Sequence, residues 1–319
     1  MANAARPKQV KASKDADVKG CKLIAMSHRF AVMFVILSAL GFGSSAMFAK
    51  IAYAGGVSPS LLLALRFLLA GVVLGTVVWI KRIALPRGRV LAGCVLMGTL
   101  YTAQAQSYFT ALLYASSGLV ALLLYIFPVL VTLLALLLGW EKLNRRTLIL
   151  LAVAMAGIAI TLGGKLQGQP LGIGLALLAA VVYAVYILIG SRLTKNADPL
   201  AATLVILATC GLANGILAVA GGVEWPRSTT AWLAIGALAL FSTVIAVTFL
   251  LVGIKHIGAA QASIISTLEP VITLGLGVTL LGESISTSQL FGGALVLTAV
   301  ILLAQRPAPG LAQAALENS

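Results

Sequence analysis

The sequence predicts an all-α membrane protein whose ten transmembrane helices form two five-helix repeats of inverted topology. The first observation is hydropathy: of the 319 residues, 61% are hydrophobic and 9% are charged, and the mean hydropathy is +1.08. A water-soluble domain cannot bury so large an apolar fraction. The second observation is that the apolar residues fall into ten runs. The third is an internal repeat that relates the two halves of the chain.

Most of the apolar runs approach the length of about 20 residues that crosses a bilayer core of about 30 Å. In chain order, spans one to ten cover 30–53, 61–80, 90–114, 117–138, 147–162, 171–189, 200–220, 232–254, 260–281 and 290–304. Spans five and ten are the shortest and need their flanking residues to cross. Four regions are therefore predicted: a basic cytoplasmic tail at 1–29, a first repeat at 30–166, a second repeat at 167–305 and a short cytoplasmic tail at 306–319.

Lysine and arginine are unevenly distributed between the two sides of this arrangement. With the N-terminus taken as cytoplasmic, eighteen fall on the cytoplasmic side and three fall on the other, while Arg66 lies inside span two. Loops rich in Lys and Arg remain in the cytoplasm. Both termini are therefore predicted to be cytoplasmic, in a bacterial inner membrane. The net charge of +14 follows from this topology and does not indicate nucleic-acid binding.

The two halves of the chain resemble each other when one is shifted by 142 positions. The shift aligns Pro128 with Pro270 and Glu141 with Glu283, in the strings IFPVLVTLLALLLGWEKLN and TLEPVITLGLGVTLLGESIS. An odd number of spans separates the copies, so the halves insert upside down relative to each other. Inverted repeats around a site near the bilayer midplane are the physical basis of alternating access.

Several classes of site are not predicted. Cys21, Cys94 and Cys210 are far apart, and the two histidines, His28 and His256, lie at the ends of apolar segments, so neither a disulfide framework nor a metal site is indicated. The sequence has no G-x-x-x-x-G-K-[ST] loop, which argues against ATP-driven pumping by this chain. We predict no cofactor and no catalytic residues; a membrane-embedded enzyme is kept as the alternative from another class.

The strings quoted above, together with ALRFLLAGVVLG in span two and VGIKHIGAAQASIIS before span nine's proline, resemble the EamA-type transporters of the drug/metabolite transporter superfamily. The resemblance covers nearly the whole chain after Arg29. Within the family the sequence is most similar to ten-helix amino acid exporters, including those for aromatic amino acids. The resemblance implies five-plus-five inverted repeats and a central cavity lined mainly by spans one, three, four, six, eight and nine.

Polar and aromatic residues inside the spans are the candidates for a substrate cavity. In span three, Tyr101, Gln104 and Tyr108 recur at spacings of three and four, which places them on one helix face. Such a face suits an amphipathic metabolite, and interhelical hydrogen bonding is the alternative interpretation. The other candidates lie in spans one, six, eight and nine: Ser38, Phe42, Ser45, Tyr183, Tyr186, Ser242, Thr248, Gln261 and Ser266.

Two charged residues inside the spans are candidates of a sharper kind. Glu269 lies near the middle of span nine, where a carboxylate costs about 2.5 to 3.5 kcal/mol unless it is paired or protonated. It is either a proton or substrate-amine site, or it is held by a partner that stabilises the scaffold. Arg66 has the same two interpretations, with Glu269 or a substrate carboxylate as its partner. Pro128 and Pro270 are expected to kink spans four and nine.

The function predicted on this basis is export of amino acids, including aromatic ones, and of related small metabolites by a secondary transporter or facilitator that works by alternating access. A proton-coupled multidrug carrier, or another metabolite carrier of the same superfamily, is the alternative. A nucleotide-sugar carrier is less favoured because Arg66 is the one basic residue deep inside a span, whereas Lys50 lies at the outer end of span one. The expected partners are a small-molecule substrate and membrane lipid, with no nucleic acid and a monomeric chain.

Overall fold

The computed structural model of the chain describes residues 28–139, 145–163, 168–193 and 198–304. These residues form thirteen α-helices and one π-helix, and the described part of the chain contains no β-strand. The α-helices, numbered α1 to α13 in chain order, are His28–Gly43, Ser45–Ala54, Pro59–Ile80, Gly88–Ala111, Ser117–Leu124, Phe127–Leu137, Arg145–Gly163, Pro170–Leu193, Pro199–Ala220, Thr229–Ala239, Ala246–Ser266, Leu268–Leu281 and Thr287–Ala304. The π-helix, Leu240–Ile245, joins α10 to α11.

Several helices begin where a polar side chain caps the free backbone N–H groups of the first turn. Ser58, Ser116 and Ser228 each accept a hydrogen bond from the backbone N–H three residues later, at the starts of α3, α5 and α10. Asp198 accepts from the backbone N–H of Leu200 at 2.9 Å and starts α9. These caps fix the helix starts at positions where the sequence places polar residues before apolar runs.

Many of the helices expose large apolar side chains on their outer surfaces. Trp79 is 80% exposed, Val219 is 73% exposed and Phe291 is 67% exposed. Six helical stretches are long and apolar enough to cross a membrane: His28–Ala54, Pro59–Ile80, Ser117–Leu137, Pro170–Gly190, Pro199–Ala220 and Thr229–Leu250. Three shorter apolar helices accompany them: Leu148–Thr161, Leu268–Leu281 and Thr287–Leu302. An apolar outer surface of this kind requires lipid as its solvent.

Four of the predicted spans are interrupted. Span one breaks at Ser44, between α1 and α2, and span four breaks between α5 and α6. Span eight contains the π-helix, and span nine breaks at Thr267, between α11 and α12. Pro128 and Pro270 lie in the first turn of α6 and α12, directly after two of these breaks, where a residue without an N–H is tolerated.

The chain reverses direction between Gly253 and Thr273. Ser38 donates to the backbone carbonyl of Ala246, and Gly253 packs against Val35, so the start of α11 runs antiparallel to α1. Thr273, in the next helix, donates to the carbonyl of Gly43 at the other end of α1. A helix that kept its direction would have carried Thr273 away from Gly43, at 1.5 Å per residue. The sequence separates spans eight and nine at 255–259, but the structure keeps these residues within helix α11.

The helices pack in pairs that join the two halves of the chain. These pairs include α1 with α11, α3 with α9, α4 with α8, α5 with α12 and α7 with α13, and α4 and α2 also pack against α9 and α10 respectively. Small residues allow close approach, as is common between helices in membranes. In the α7–α13 pair, a Cβ added to Gly157 would lie 2.7 Å from the backbone carbonyl of Gly292.

Candidate functional site

The interruptions of the four spans meet in one region inside the bundle. The hydroxyl of Ser44, at the break between α1 and α2, lies 3.3 Å from that of Ser242 in the π-helix. Thr273 donates to the carbonyl of Gly43 at 2.9 Å, which brings the α11–α12 break to the same place. Backbone groups freed by helix breaks need partners inside the protein when the solvent is lipid. This region is therefore polar at a depth where the outer surface is apolar.

Arg66 of α3 points into this region and is 5% exposed. Its Nε donates to the hydroxyl of Thr243 at 2.8 Å, and one Nη donates to the carbonyl of Ser242 at 3.4 Å. Both acceptors belong to the π-helix, a geometry that is frequent at functional sites. The guanidinium carbon lies 5.2 Å from the ring centroids of Phe67 and Phe109, close enough for cation–π attraction. Two of the five guanidinium N–H groups donate hydrogen bonds to described residues, and the other three remain for a bound molecule.

Glu269 of α12 is held by a tyrosine hydroxyl. The phenolic oxygen of Tyr125 lies 2.8 Å from Oε2 of Glu269 and 2.8 Å from the backbone carbonyl of Ser266. That carbonyl is free because Pro270, four residues later, has no N–H to donate to it. The phenol has one proton, which cannot fully satisfy both oxygens. A protonated Glu269 would itself donate to the phenolic oxygen, and the phenolic proton would then serve the Ser266 carbonyl.

An arc of aromatic side chains runs between the two charged residues. In order of contact it consists of Phe67, Tyr101, Tyr186, Tyr183, Phe127 and Tyr125, with neighbouring ring centroids 4.6 to 6.0 Å apart. We call this set the aromatic arc. Arg66 lies over the Phe67 ring at its start, and Glu269 bonds Tyr125 at its end. The arc draws on α3, α4, α6 and α8 and on the turn between α5 and α6, so residues from both halves of the chain build it.

The two charges of this region do not form an ion pair, since the described residues contain one salt bridge and it lies elsewhere. Tyr101, Tyr183 and Tyr186 keep partial exposure although they line interior helix faces. The arrangement offers a cation, an anion and a row of ring faces to one bound molecule.

The structure places the predicted cavity residues in three different settings. Tyr101, Tyr183 and Tyr186 belong to the aromatic arc, and Ser242 and Ser266 supply carbonyls that Arg66 and Tyr125 bind. Among the remaining candidates, Ser38 donates to the carbonyl of Ala246 in the other half of the chain, and Ser45 donates to the carbonyl of Phe42 within its own span. Gln104 and Tyr108 are buried in α4, where the Tyr108 ring contacts that of the adjacent Phe109.

Thr248 contributes nothing to this geometry, and Gln261 cannot be assigned to it. Thr248 is exposed and donates to the carbonyl of Val244 one turn earlier, within its own helix. Gln261 lies in α11, but its side chain is outside the described residues.

Sequence reasoning did not single out Phe67, Tyr125 and Phe127 as site residues. Phe127 carries a signal that could have found it, because the 142-residue shift aligns it with Glu269. Tyr125 lies two residues before Phe127, at the break between α5 and α6. Phe67 follows Arg66 directly and offers no signal of its own, since a phenylalanine in an apolar helix usually packs in a core.

A second charged cluster, which we call the junction, consists of Lys50, Ser117 and Glu283. Lys50 Nζ lies 2.7 Å from Oε1 of Glu283 and donates to the carbonyl of Ala115 at 3.2 Å. Glu283 also accepts from the backbone N–H of Ser117 at 2.9 Å and from its hydroxyl at 2.6 Å. Partial burial acts to raise the pKa of Glu283, but the bonds from Lys50 and Ser117 outweigh burial and lower that pKa below its ordinary value. The sequence analysis did not predict this contact.

One groove lies away from all of these residues. Its volume is about 590 Å³, and it lies at the end of α3 beside α9, lined by apolar side chains such as Trp79 and Leu204. Arg82 is the one charged residue in its lining. Its position on the outer surface gives it no connection with the aromatic arc.

Comparison with known proteins shows what the chain is similar to. A family model described as the EamA-like transporter family matches residues 29–163 and again residues 170–305. The chain is 28% identical over 253 residues to the uncharacterized inner membrane transporter YedA of Escherichia coli strain K12, covering 77% of this chain and 81% of YedA. It is 26% identical over 276 residues to the uncharacterized transporter YcbK of Bacillus subtilis, covering 82% of this chain and 88% of YcbK.

A crystal structure of another protein has the same fold. It superposes with a TM-score of 0.62 at 24% sequence identity, covering 88% of this chain and all of the other. At this identity the similarity concerns the fold alone.

Proposed function

Because the chain belongs to the EamA-like transporter family and is a membrane transporter rather than an enzyme, we propose that it exports amino acids, aromatic ones among them, by alternating access. The observation that carries this proposal is the aromatic arc with Arg66 at one end and Glu269 at the other. A free amino acid bears a carboxylate, an ammonium group and a side chain. The three parts match a guanidinium, a carboxylate and a row of ring faces.

Binding would use the free capacity of the two charged residues. Arg66 keeps three unused donors, and its longer bond, 3.4 Å to Ser242, is the one most easily exchanged for a substrate carboxylate. Glu269 has one oxygen bonded to Tyr125 and one available for an ammonium group. An apolar or aromatic substrate side chain would lie against Tyr183 and Tyr186, whose rings are stacked 5.8 Å apart.

The proposed architecture is ten membrane crossings in two inverted repeats, at 30–166 and 167–305. Two separate matches to the family model support it. The packing pairs also support it, because the 142-residue shift makes α3 the counterpart of α9 and α7 the counterpart of α13, and it relates the pair α1–α11 to the pair α8–α4. Such a two-fold relation gives the bundle two equivalent packings, one open to each side.

The proposed orientation has both termini in the cytoplasm of a bacterial inner membrane. The support is the division of Lys and Arg, eighteen against three, and the relative named an inner membrane transporter. Export then moves substrate from the side of the basic loops to the side where Lys50 and Glu283 lie. The junction would accordingly face the periplasm.

A second candidate function is export of lipophilic organic cations. The specific observation in its favour is that Arg66 is already bonded to the π-helix, whereas Glu269 has a single hydroxyl partner beside several aromatic rings. A monovalent amine with an apolar body needs the carboxylate and the rings but not the guanidinium.

The experiment that tests the proposal is counterflow of radiolabelled amino acids in proteoliposomes that contain the purified protein. Wild type should exchange phenylalanine, tyrosine or tryptophan, and Arg66→Gln should lose this exchange. The matched control is Arg89→Gln, which removes an exposed guanidinium away from the arc. No exchange of any amino acid by wild type would refute the proposal. Uptake of an aromatic monoamine that survives Arg66→Gln would instead establish the organic-cation function.

The same vesicles test coupling to protons. If export is driven by proton antiport through Glu269, Glu269→Gln should lose the acceleration that a pH gradient causes in wild type, measured at saturating substrate because the change also weakens binding of the substrate ammonium group. Equal acceleration in both proteins would remove Glu269 from coupling. No acceleration in either would make the protein a facilitator.

A further inference from the structure

The junction ties together three segments from both halves of the chain. Lys50 lies in α2, Ser117 is the first residue of α5, and Glu283 follows the C-terminal end of α12. The ion pair is 2.7 Å long, and its side chains are 24% and 13% exposed, so water has limited access to it. Removing one partner of a half-buried ion pair lowers the free energy of unfolding far more than removing one partner of a surface pair, because the remaining charge is left without a counter-charge.

Glu283 is aimed at Ser117 by its local backbone. Gly282 has a positive φ of 66°, and the N–H of Glu283 bonds back to the carbonyl of Gly277, so the chain turns sharply at the end of α12. Both carboxylate oxygens lie 2.9 Å from the backbone N–H of Ser117. The negative charge therefore also stabilises the positive N-terminal end of α5. A Cβ added to Gly277 would lie 2.6 Å from both Glu283 Oε2 and Ser117 Oγ, so the contact is closely packed.

The helices that meet at the junction also carry the candidate site. From Ser117, α5 leads to Tyr125, and α12 leads from Glu283 back to Glu269. Those two residues bond each other at the helix breaks. The junction thus closes one end of the space between α5 and α12, about two helical turns beyond Tyr125, at 5.4 Å per turn. Separation of α5 from α12 at this end would open a path toward the aromatic arc.

We propose that the Lys50–Glu283–Ser117 junction is the periplasmic gate of the transport path and is closed in this structure. The inference rests on the proposed function, because a gate has meaning only if the chain alternates between two open states. In the outward-open state Lys50 and Glu283 separate and become hydrated. In the state described here the ion pair and the bonds to Ser117 hold α2, α5 and the end of α12 together.

The test measures how fast a membrane-impermeant maleimide, added from the periplasmic side, labels a cysteine placed at Tyr186 in a Cys21→Ser background. The other two cysteines, Cys94 and Cys210, are buried. Glu283→Gln and Lys50→Gln should each raise the labelling rate about tenfold or more, the factor that corresponds to one lost hydrogen bond to a charged group. Lys50→Arg, which keeps the charge, should label at the wild-type rate.

The matched control is Glu224→Gln, which removes one negative charge from an exposed position in the α9–α10 loop on the same side of the protein. It should leave the labelling rate unchanged. A spin-label distance between Ala54→Cys and Thr287→Cys, placed on exposed positions on either side of the junction, should gain a longer population in Glu283→Gln and not in the control.

The outcomes separate this inference from the proposed function. Unchanged labelling and unchanged distances in both Glu283→Gln and Lys50→Gln overturn the gate, whatever the protein transports. Faster labelling with a longer distance supports the gate even if wild type exchanges no amino acid, which would overturn the substrate proposal alone. A longer distance without faster labelling also overturns the gate, because the junction would then open away from the arc.

Discussion

Replacing Tyr125 by phenylalanine is the sharpest test of how Glu269 is held. The change deletes one hydroxyl, which lies 2.8 Å from both Oε2 of Glu269 and the carbonyl of Ser266, and it keeps the ring that contacts Phe127. The Ser266 carbonyl then has neither an N–H partner from residue 270 nor the phenol. Tyr125→Phe therefore removes the described hydrogen bonding of Glu269 with almost no change in packing volume.

The size of the effect follows from the type of bond that is lost. A hydrogen bond to a charged group contributes about 1.5 to 3 kcal/mol in water-soluble proteins, and hydrogen bonds between membrane helices average about 0.6 kcal/mol with a maximum near 1.7. We therefore expect Tyr125→Phe to lower the free energy of unfolding by about 1 to 2 kcal/mol. If Glu269 must be oriented to bind a substrate amine, the half-saturation concentration should rise about tenfold, since 1.4 kcal/mol corresponds to a factor of ten.

The assay pairs thermal unfolding in detergent with concentration-dependent counterflow in proteoliposomes. The control is Tyr114→Phe, because the Tyr114 hydroxyl makes no hydrogen bond within the described residues. Loss of stability without any change in half-saturation would mean that Tyr125 serves the scaffold only. If Tyr125→Phe and Tyr114→Phe behave alike in both assays, the proposed support of Glu269 is wrong.

Three further predictions concern other contacts. Thr243→Val removes the hydroxyl that Arg66 Nε binds at 2.8 Å, and should weaken substrate binding and lower the free energy of unfolding by about 1 to 2 kcal/mol, measured as for Tyr125→Phe. Gly157→Ala should lower the melting temperature because its Cβ would meet the Gly292 carbonyl, whereas the same change at exposed Gly174, with open space around it, should not. The pKa of Glu283 is lowered, so this carboxylate contributes its full stabilisation above the ordinary carboxyl pKa of about 4.3. That stabilisation is lost as the pH falls through the lowered pKa. Glu283→Gln should abolish this acid-dependent loss, measured as melting temperature against pH.

The sequence predicted which segments are apolar helices better than it predicted where those helices are interrupted. Hydropathy identified the apolar segments because each residue's transfer into lipid is a local property. The breaks at Ser44 and Thr267 and the π-helix were not predicted, since an interrupted helix keeps the same apolar composition as a continuous one. Pro128 and Pro270 were expected to kink spans four and nine because proline removes a backbone donor wherever it stands, and in the structure each lies directly after a break.

The candidate site was predicted in part. The intramembrane charges Arg66 and Glu269 and three tyrosines of the aromatic arc stand out in an apolar sequence because polar groups are costly there. Which groups they contact could not be read from the sequence. Arg66 was considered a partner for Glu269, but in the structure it bonds Thr243 and Ser242 in the π-helix instead.

The sequence by itself determined that this chain is a helical membrane protein of the EamA type with a few costly polar residues in its interior, because apolar length, basic loops and internal repetition are all properties of successive residues. The tertiary structure alone decided that Tyr125 meets Glu269 across 144 positions and that Lys50 meets Glu283 across 233. Contacts between residues so far apart in the sequence depend on how whole helices pack. The residues themselves do not show which partners that packing brings into contact.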